Sequence, residues 1–187
     1  MSPVNVPNLL TGIRILLTPV FVVLIARSRF GAALMVFTVS GVTDGLDGLL
    51  ARRFNQRTSL GATLDPIADK LLLVSAFLCL GIFHMTPAWL VVVVIGRDLL
   101  ILAGITGFHF ASYPIEIRPS LISKCTTAAQ MALIMMILLE LHLPMIGPAK
   151  IALVWVTAGF TLLSGADYFR TGMRMLQERE AENRPER

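Results

Sequence analysis

The sequence predicts an all-α integral membrane protein, a six-transmembrane-helix bundle with a short amphipathic C-terminal helix. Of its 187 residues, 55% are hydrophobic, and the mean hydropathy is +0.74. Values this high are typical of proteins that reside in a membrane. The apolar residues also fall into six runs of about 20 residues, the length that a helix needs to cross the hydrocarbon core. We therefore predict one membrane domain covering residues 1–187.

Polar and proline-bearing breaks in the apolar pattern set the limits of the spans. Residues 7–8, Pro-Asn, supply a helix start and cap for the first span. Breaks at 53–59, 84–87, 112–119 and 144–148 separate most of the others. The predicted spans cover about 9–26, 30–52, 60–83, 88–110, 120–143 and 149–169.

The distribution of basic residues predicts the orientation of the spans. Lys and Arg accumulate between spans two and three, between spans four and five, and after span six. Because cytoplasmic loops carry this excess, both termini are predicted on the cytoplasmic side of the cell membrane, with Arg27 and Arg29 as exceptions. The net charge of +4 lies mainly at the ends of the spans and in the tail. It is therefore explained by membrane topology, and we expect no nucleic-acid partner. The basic tail at 170–187 predicts the amphipathic C-terminal helix on anionic lipid.

Four aspartates, here called the acidic cluster, lie at the edges of spans two and three: Asp44, Asp47, Asp65 and Asp69. A charged side chain at the centre of a membrane helix costs roughly 2.5–3.5 kcal/mol, which makes this cluster a candidate functional site. Side chains three or four positions apart share a helix face, so the two pairs meet if the linker turns the chain back. Converging carboxylates require cations to stay ionised. Their oxygen atoms suit two Mg²⁺ or Mn²⁺ ions that clamp a phosphoryl group.

Small residues accompany the acidic cluster. Gly48, Ala51 and Gly61 remove side-chain bulk beside the acids and leave a slot in which a phosphate-bearing ligand can approach the backbone. Arg52 adds a positive charge, although one arginine does not balance four carboxylates. This combination indicates a site for a phosphorylated ligand.

The residues from Asp44 to Asp69 fit D-x2-D-G-x2-A-R-x8-G-x3-D-x3-D at every fixed position. This pattern resembles the signature of the CDP-alcohol phosphatidyltransferases. The resemblance implies a homodimeric membrane enzyme that uses two divalent metals to transfer a phosphatidyl group from CDP-diacylglycerol to an alcohol, with release of CMP. It implies Asp69 as the catalytic base and possible metal ligand. It implies CDP-lipid contacts at Asn8, Thr11, Asp47, Gly48, Ala51, Arg52 and Gly61.

Basic residues outside this pattern predict where the acceptor alcohol binds. Arg97 and Asp98 lie deep in the fourth span, and either they form a mutual ion pair or Arg97 joins Arg118 and Lys124 in a pocket for an anionic acceptor. We prefer the pocket.

For Asn8 and Thr11, contact with the CDP-lipid diphosphate and a simple helix cap remain equally open.

Two glycerol-type acceptors fit the resemblance. The segments P-N-L-L-T-x-x-R at 7–14 and L-S-G-A-D-Y-F at 163–169 favour glycerol 3-phosphate, whereas Arg118-Pro119-Ser120 favours phosphatidylglycerol. We prefer glycerol 3-phosphate.

Outside this class, a cation transporter could also use intramembrane acids, but it has no need of glycines and an arginine at these spacings. A membrane prenyltransferase normally places its two acidic motifs in separate halves of a longer bundle.

Overall fold

The structure, a computed structural model, describes residues 6–54, 59–110 and 120–182. All regular structure in these ranges is helical, which confirms the all-α prediction. The chain order is α1 (Val6–Ala26), α2 (Phe30–Phe54), α3 (Ser59–Ile82), α4 (Ala88–Phe110), α5 (Leu121–Glu140), a 3₁₀ turn (Pro144–Ile146) and α6 (Gly147–Glu182).

The helix limits agree with the predicted spans within a few residues, except at the C-terminus. The predicted separate amphipathic helix after about Phe169 is wrong, because α6 continues unbroken from Gly147 to Glu182. The sequence from 170 to 182 contains no proline and consists mostly of good helix formers, so nothing interrupts the backbone hydrogen bonds. A helix of 36 residues is about 54 Å long, well beyond the hydrocarbon thickness of about 30 Å. One helix therefore holds both a membrane-length segment and residues 170–182 of the basic tail.

The helices pack around a shared apolar core. Helix α1 contacts α2 and α3, helix α5 contacts α6 and α2, and helix α4 contacts α6 and α3. Phe21 of α1 and Phe37 of α2 are buried with ring centroids 5.7 Å apart. Phe77, Leu90 and Leu133 bring α3, α4 and α5 into the same core.

Large apolar side chains also cover the outside of the bundle. Val92, Leu121 and Trp155 are among many that are more than half exposed, an arrangement that suits a lipid environment and would be costly in water. Within the described ranges, Leu121–Glu140 and Gly147–Arg174 are long and apolar enough to cross a membrane. Shorter apolar helical stretches cover Gly12–Ala26, Phe30–Thr43 and Lys70–Ile82.

Buried polar side chains fix the alignment of α5 and α6. The Thr126 hydroxyl donates to the Phe160 carbonyl at 2.9 Å, and the Gln130 amide lies 3.5 Å from the Thr161 hydroxyl. All three polar side chains are buried. Because a buried polar group without a partner is costly, sliding one helix along the other would lose these contacts.

The contact between α3 and α4 yields a prediction about packing. A methyl group built at Gly81 would lie 2.9 Å from Cγ2 of Val91, a branched side chain with little freedom to move. We expect Gly81→Ala to destabilise the fold by about 1–3 kcal/mol through overpacking. The measurement is the thermal midpoint of the detergent-purified protein. Gly159→Ala on α6 is the matched control because, outside its own helix backbone, no atom of the described residues lies within 4 Å of its added methyl group. Equal midpoints for the two variants would contradict the prediction.

Candidate functional site

The four aspartates of the acidic cluster all lie on two consecutive helices, with Asp44 and Asp47 on α2, and Asp65 and Asp69 on α3. Helix α2 ends at Phe54 and α3 begins at Ser59. At 1.5 Å per residue, Asp47 lies about 10 Å before the end of α2 and Asp65 about 9 Å after the start of α3. Both helices also pack on α1. The two acidic segments therefore occupy comparable depths from the adjoining ends of their helices.

The described side chains do not include those of the acidic cluster. The same holds for the predicted CDP-lipid residues, whose backbone lies in α1, α2 or α3, and Arg118 lies outside the described residues altogether. Among the side chains that are described, no group of three His, Cys, Asp or Glu residues could hold a metal ion. The predicted roles of these residues thus stay predictions.

A second polar centre lies among the described side chains, and its first residue, Lys70, directly follows the acidic cluster in the sequence. Lys70, Arg97 and Asp98 form this charge triad. Asp98 is 8% exposed, and its Oδ1 accepts from Nη1 of Arg97 at 2.7 Å and also forms an ion pair with Nζ of Lys70. One carboxylate oxygen thus meets two cations, and the triad carries a net charge of +1.

Two serines complete the surroundings of Arg97, whose side chain is 5% exposed. Ser164 Oγ on α6 accepts from Nε at 3.1 Å and from Nη2 at 2.6 Å, and Ser123 Oγ on α5 accepts from Nη2 at 2.6 Å. Ser120 caps α5 by accepting from the backbone N–H of Ser123 at 3.2 Å. The triad and its serines therefore connect α3, α4, α5 and α6, and they compensate a charge that would otherwise be costly to bury.

The structure describes the side chains of two of the three residues of the predicted acceptor pocket, Arg97 and Lys124. The ion pair that the sequence left as the alternative for Arg97 and Asp98 is present. Lys124, exposed to solvent, follows Ser123, the residue that accepts from Arg97. From the sequence alone, Lys70 either extends to the membrane interface or neutralises the acidic cluster, and the sequence assigns no role to Ser164. Ser164 is one of three serine or threonine side chains in the apolar part of α6, with Thr157 and Thr161, so the sequence does not single it out.

Comparison with known proteins adds an independent observation. A family model described as CDP-alcohol phosphatidyltransferase matches residues 4–163. This range includes α1 to α5, most of the apolar part of α6, the acidic cluster and the charge triad. The match thus extends well beyond the short acidic pattern.

Individual relatives carry two kinds of name. The Bacillus subtilis (strain 168) CDP-diacylglycerol–glycerol-3-phosphate 3-phosphatidyltransferase is 34% identical over 197 residues, covering 92% of this chain and 97% of the relative. The protein of that name from Escherichia coli (strain K12) is 37% identical over 171 residues, covering 88% of this chain and 92% of the relative. The human CMP-forming cardiolipin synthase is 31% identical over 193 residues, with 94% of this chain covered. The chain spans 64% of the length of that human relative.

Proposed function

Because the chain belongs to the CDP-alcohol phosphatidyltransferase family, we propose that it transfers the phosphatidyl group of CDP-diacylglycerol to a glycerol-type alcohol. CMP is the second product. The observation that carries this proposal is the complete acidic pattern on the adjoining ends of α2 and α3, one residue from a described cationic centre. Acids that can bind metal and cations that can bind an anion suit a reaction in which a metal-bound diphosphate meets an anionic acceptor.

Glycerol 3-phosphate is the proposed acceptor. The bacterial relatives named for that substrate align with this chain over 92–97% of their own length. The human cardiolipin synthase aligns over 64% of its length. Phosphatidylglycerol is the second candidate, supported by the names of the cardiolipin synthases and by the Arg118-Pro119-Ser120 segment. Both acceptors present a glycerol hydroxyl and a phosphate.

The acidic cluster is proposed to hold two divalent ions, Mg²⁺ or Mn²⁺. Four carboxylates at comparable depth on consecutive helices supply the hard oxygen donors that these ions prefer, so the donor set fits. When bound, such ions neutralise charge on the diphosphate and lower the pKa of the acceptor hydroxyl. Asp44, Asp47 and Asp65 are assigned as ligands, and Asp69 as base and ligand.

The chain's own residues then bind, orient and move a proton. Asp69 takes the proton of the acceptor hydroxyl, whose oxygen attacks the phosphorus that carries the diacylglycerol. The bond from that phosphorus to the CMP oxygen breaks, and CMP leaves with the electron pair. Arg52 is assigned to the phosphates of the CDP-lipid. The remaining proposed CDP-lipid contacts are Asn8, Thr11, Asp47, Gly48, Ala51 and Gly61.

The acceptor pocket is assigned to Arg97, Arg118 and Lys124. The burial of Arg97 at the junction of α4, α5 and α6 gives the pocket a fixed positive wall, and the exposed Lys124 supplies a cation that a soluble acceptor can reach. Basic groups in a pocket favour a phosphate over a neutral alcohol.

Six membrane spans, an active site on the cytoplasmic side and a homodimer complete the proposal. Support for the spans comes from the exposed apolar surface of the helices and from two segments of spanning length. Support for the orientation comes from the basic residues that follow spans two, four and six. The homodimer rests on the family resemblance.

The test is CMP release by the purified protein. We expect release from CDP-diacylglycerol with glycerol 3-phosphate, a lower rate with phosphatidylglycerol, and none with serine. A chelator should abolish the reaction, and either Mg²⁺ or Mn²⁺ should restore it. Absence of CMP with every acceptor, together with metal-dependent cation flux into vesicles that hold the protein, would favour the transporter alternative. Undiminished release in the presence of chelator would contradict the metal assignment.

A further inference from the structure

We propose that Lys70, held in place by Asp98, is the residue that binds the phosphate of the acceptor, and that Arg97 mainly holds the helices around it. The inference rests on the proposed function and assigns a new contact within the same site. The two cations of the charge triad, the buried Arg97 and the half-buried Lys70, differ in how many of their N–H donors already form hydrogen bonds within the protein.

Arg97 has little left to offer a ligand. A guanidinium carries five N–H donors, and four of the donors of Arg97 are used within the protein: one for Asp98, one for Ser123 and two for Ser164. A phosphate bound by a fork of two N–H groups would have to displace the serines, which would then lose their partner. Arg97 contributes its charge to the pocket while its donors fix α4 against α5 and α6.

Lys70 is in the opposite situation. Its side chain is 46% exposed, and in the described residues one of its three N–H donors is used, in the pair with Asp98. No other described residue pairs with Lys70, which leaves two donors for a ligand. Pairing with a nearly buried carboxylate also restricts a side chain that would otherwise adopt many rotamers. Lys70 is therefore a cation that is both held in place and accessible.

The location of Lys70 points to the acceptor and away from the CDP-lipid. It follows the proposed base Asp69 and lies about 100° further around α3, because the helix has 3.6 residues per turn. Asp98 draws its ammonium toward α4, the helix of Arg97, and thus toward the proposed acceptor pocket. In glycerol 3-phosphate a short carbon chain separates the attacking hydroxyl from the phosphate. A hydroxyl at Asp69 therefore places the phosphate within reach of a cation rooted on the next residue.

The experiment measures the KM for glycerol 3-phosphate and the KM for CDP-diacylglycerol in the Lys70→Met variant. We expect the KM for glycerol 3-phosphate to rise about tenfold or more, as for loss of a charge-assisted hydrogen bond, while the KM for CDP-diacylglycerol stays within about twofold. Lys70→Arg should recover part of the loss. Calorimetric titration of the detergent-purified protein with glycerol 3-phosphate should show the same weakening. Because phosphatidylglycerol also carries a phosphate, a second arm measures its KM in the same variants.

Lys150→Met is the matched control, since Lys150 also forms an ion pair between separate elements, with Glu140 at 2.6 Å. We expect both KM values of this variant to equal those of the wild type. Asp98→Asn tests positioning: asparagine keeps an oxygen for Arg97 but lacks the charge that holds Lys70. We expect its acceptor KM to rise and the Lys70→Met/Asp98→Asn pair to be no worse than Lys70→Met alone.

The outcomes separate this inference from the proposed function. If the wild type releases CMP and Lys70→Met keeps its acceptor KM, the inference is overturned and the proposed function stands. A rise confined to the KM for CDP-diacylglycerol would also overturn it, by placing Lys70 on the diphosphate. A wild type that releases no CMP with either phosphate-bearing acceptor would overturn both.

Discussion

Asp69→Asn is expected to lower the rate of CMP release by about a thousandfold, within the range that a general base contributes. Asparagine has nearly the same volume as aspartate, but its amide cannot accept the proton of the acceptor hydroxyl and carries no charge for a metal. The helix α3 should form as before, because the position lies well inside it. The measurement is the turnover number at saturating CDP-diacylglycerol and acceptor, together with the amount of protein in the membrane fraction.

Glu140→Gln is the matched control for Asp69→Asn. Like Asp69, Glu140 lies on an apolar helix; its side chain pairs with Lys150 at the end of α5 and is 23% exposed. Because Glu140 has none of the roles assigned to Asp69, we expect near wild-type turnover. Near-normal turnover in Asp69→Asn would show that the base is a different group. Equal losses in both variants would indicate general damage to the protein.

The sequence allowed most of the helices to be predicted, because their limits depend on local signals. Prolines, glycines and polar stretches fall between apolar runs, and α4 begins and ends where the pattern predicts, at Ala88 and Phe110. The C-terminal prediction failed for a physical reason. A change from apolar to basic composition near Phe169 marks the end of a membrane-length segment, but helical hydrogen bonding continues through it.

The candidate site was predictable to a different degree in its two parts. The acidic cluster could be recognised because helical spacing and a short linker are local properties. The surroundings of Arg97 could not be predicted in the same way, since Ser123 lies 26 positions away and Ser164 lies 67 positions away. Their meeting depends on how α5 and α6 align, which the buried threonines and glutamine between those helices determine. A single sequence carries no direct signal of such an alignment.

Removing one member of the buried pair should have the largest effect on stability. We expect Asp98→Leu to destabilise the protein by about 3–5 kcal/mol, since Arg97 would stay buried without its carboxylate. In a chain of this length, that loss corresponds to a thermal midpoint lower by roughly 6–20 °C. Arg97→Met should cost less, because Asp98 keeps its pair with Lys70. The measurement is the midpoint of each variant in the same detergent, with CDP-diacylglycerol absent.

The double variant Arg97→Met/Asp98→Leu tests why Asp98→Leu destabilises the protein. The cause is either the unpaired buried charge of Arg97 or a loss of side-chain packing. With both charges removed, the half-exposed Lys70 can turn to water, and the two serines can donate to carbonyls of their own helices, as Thr126 does to Ile122 at 2.8 Å. We therefore expect the double variant to be more stable than Asp98→Leu alone, because replacing a whole buried pair by apolar groups is often close to neutral. Additive losses would instead mean that the pair contributes through side-chain packing.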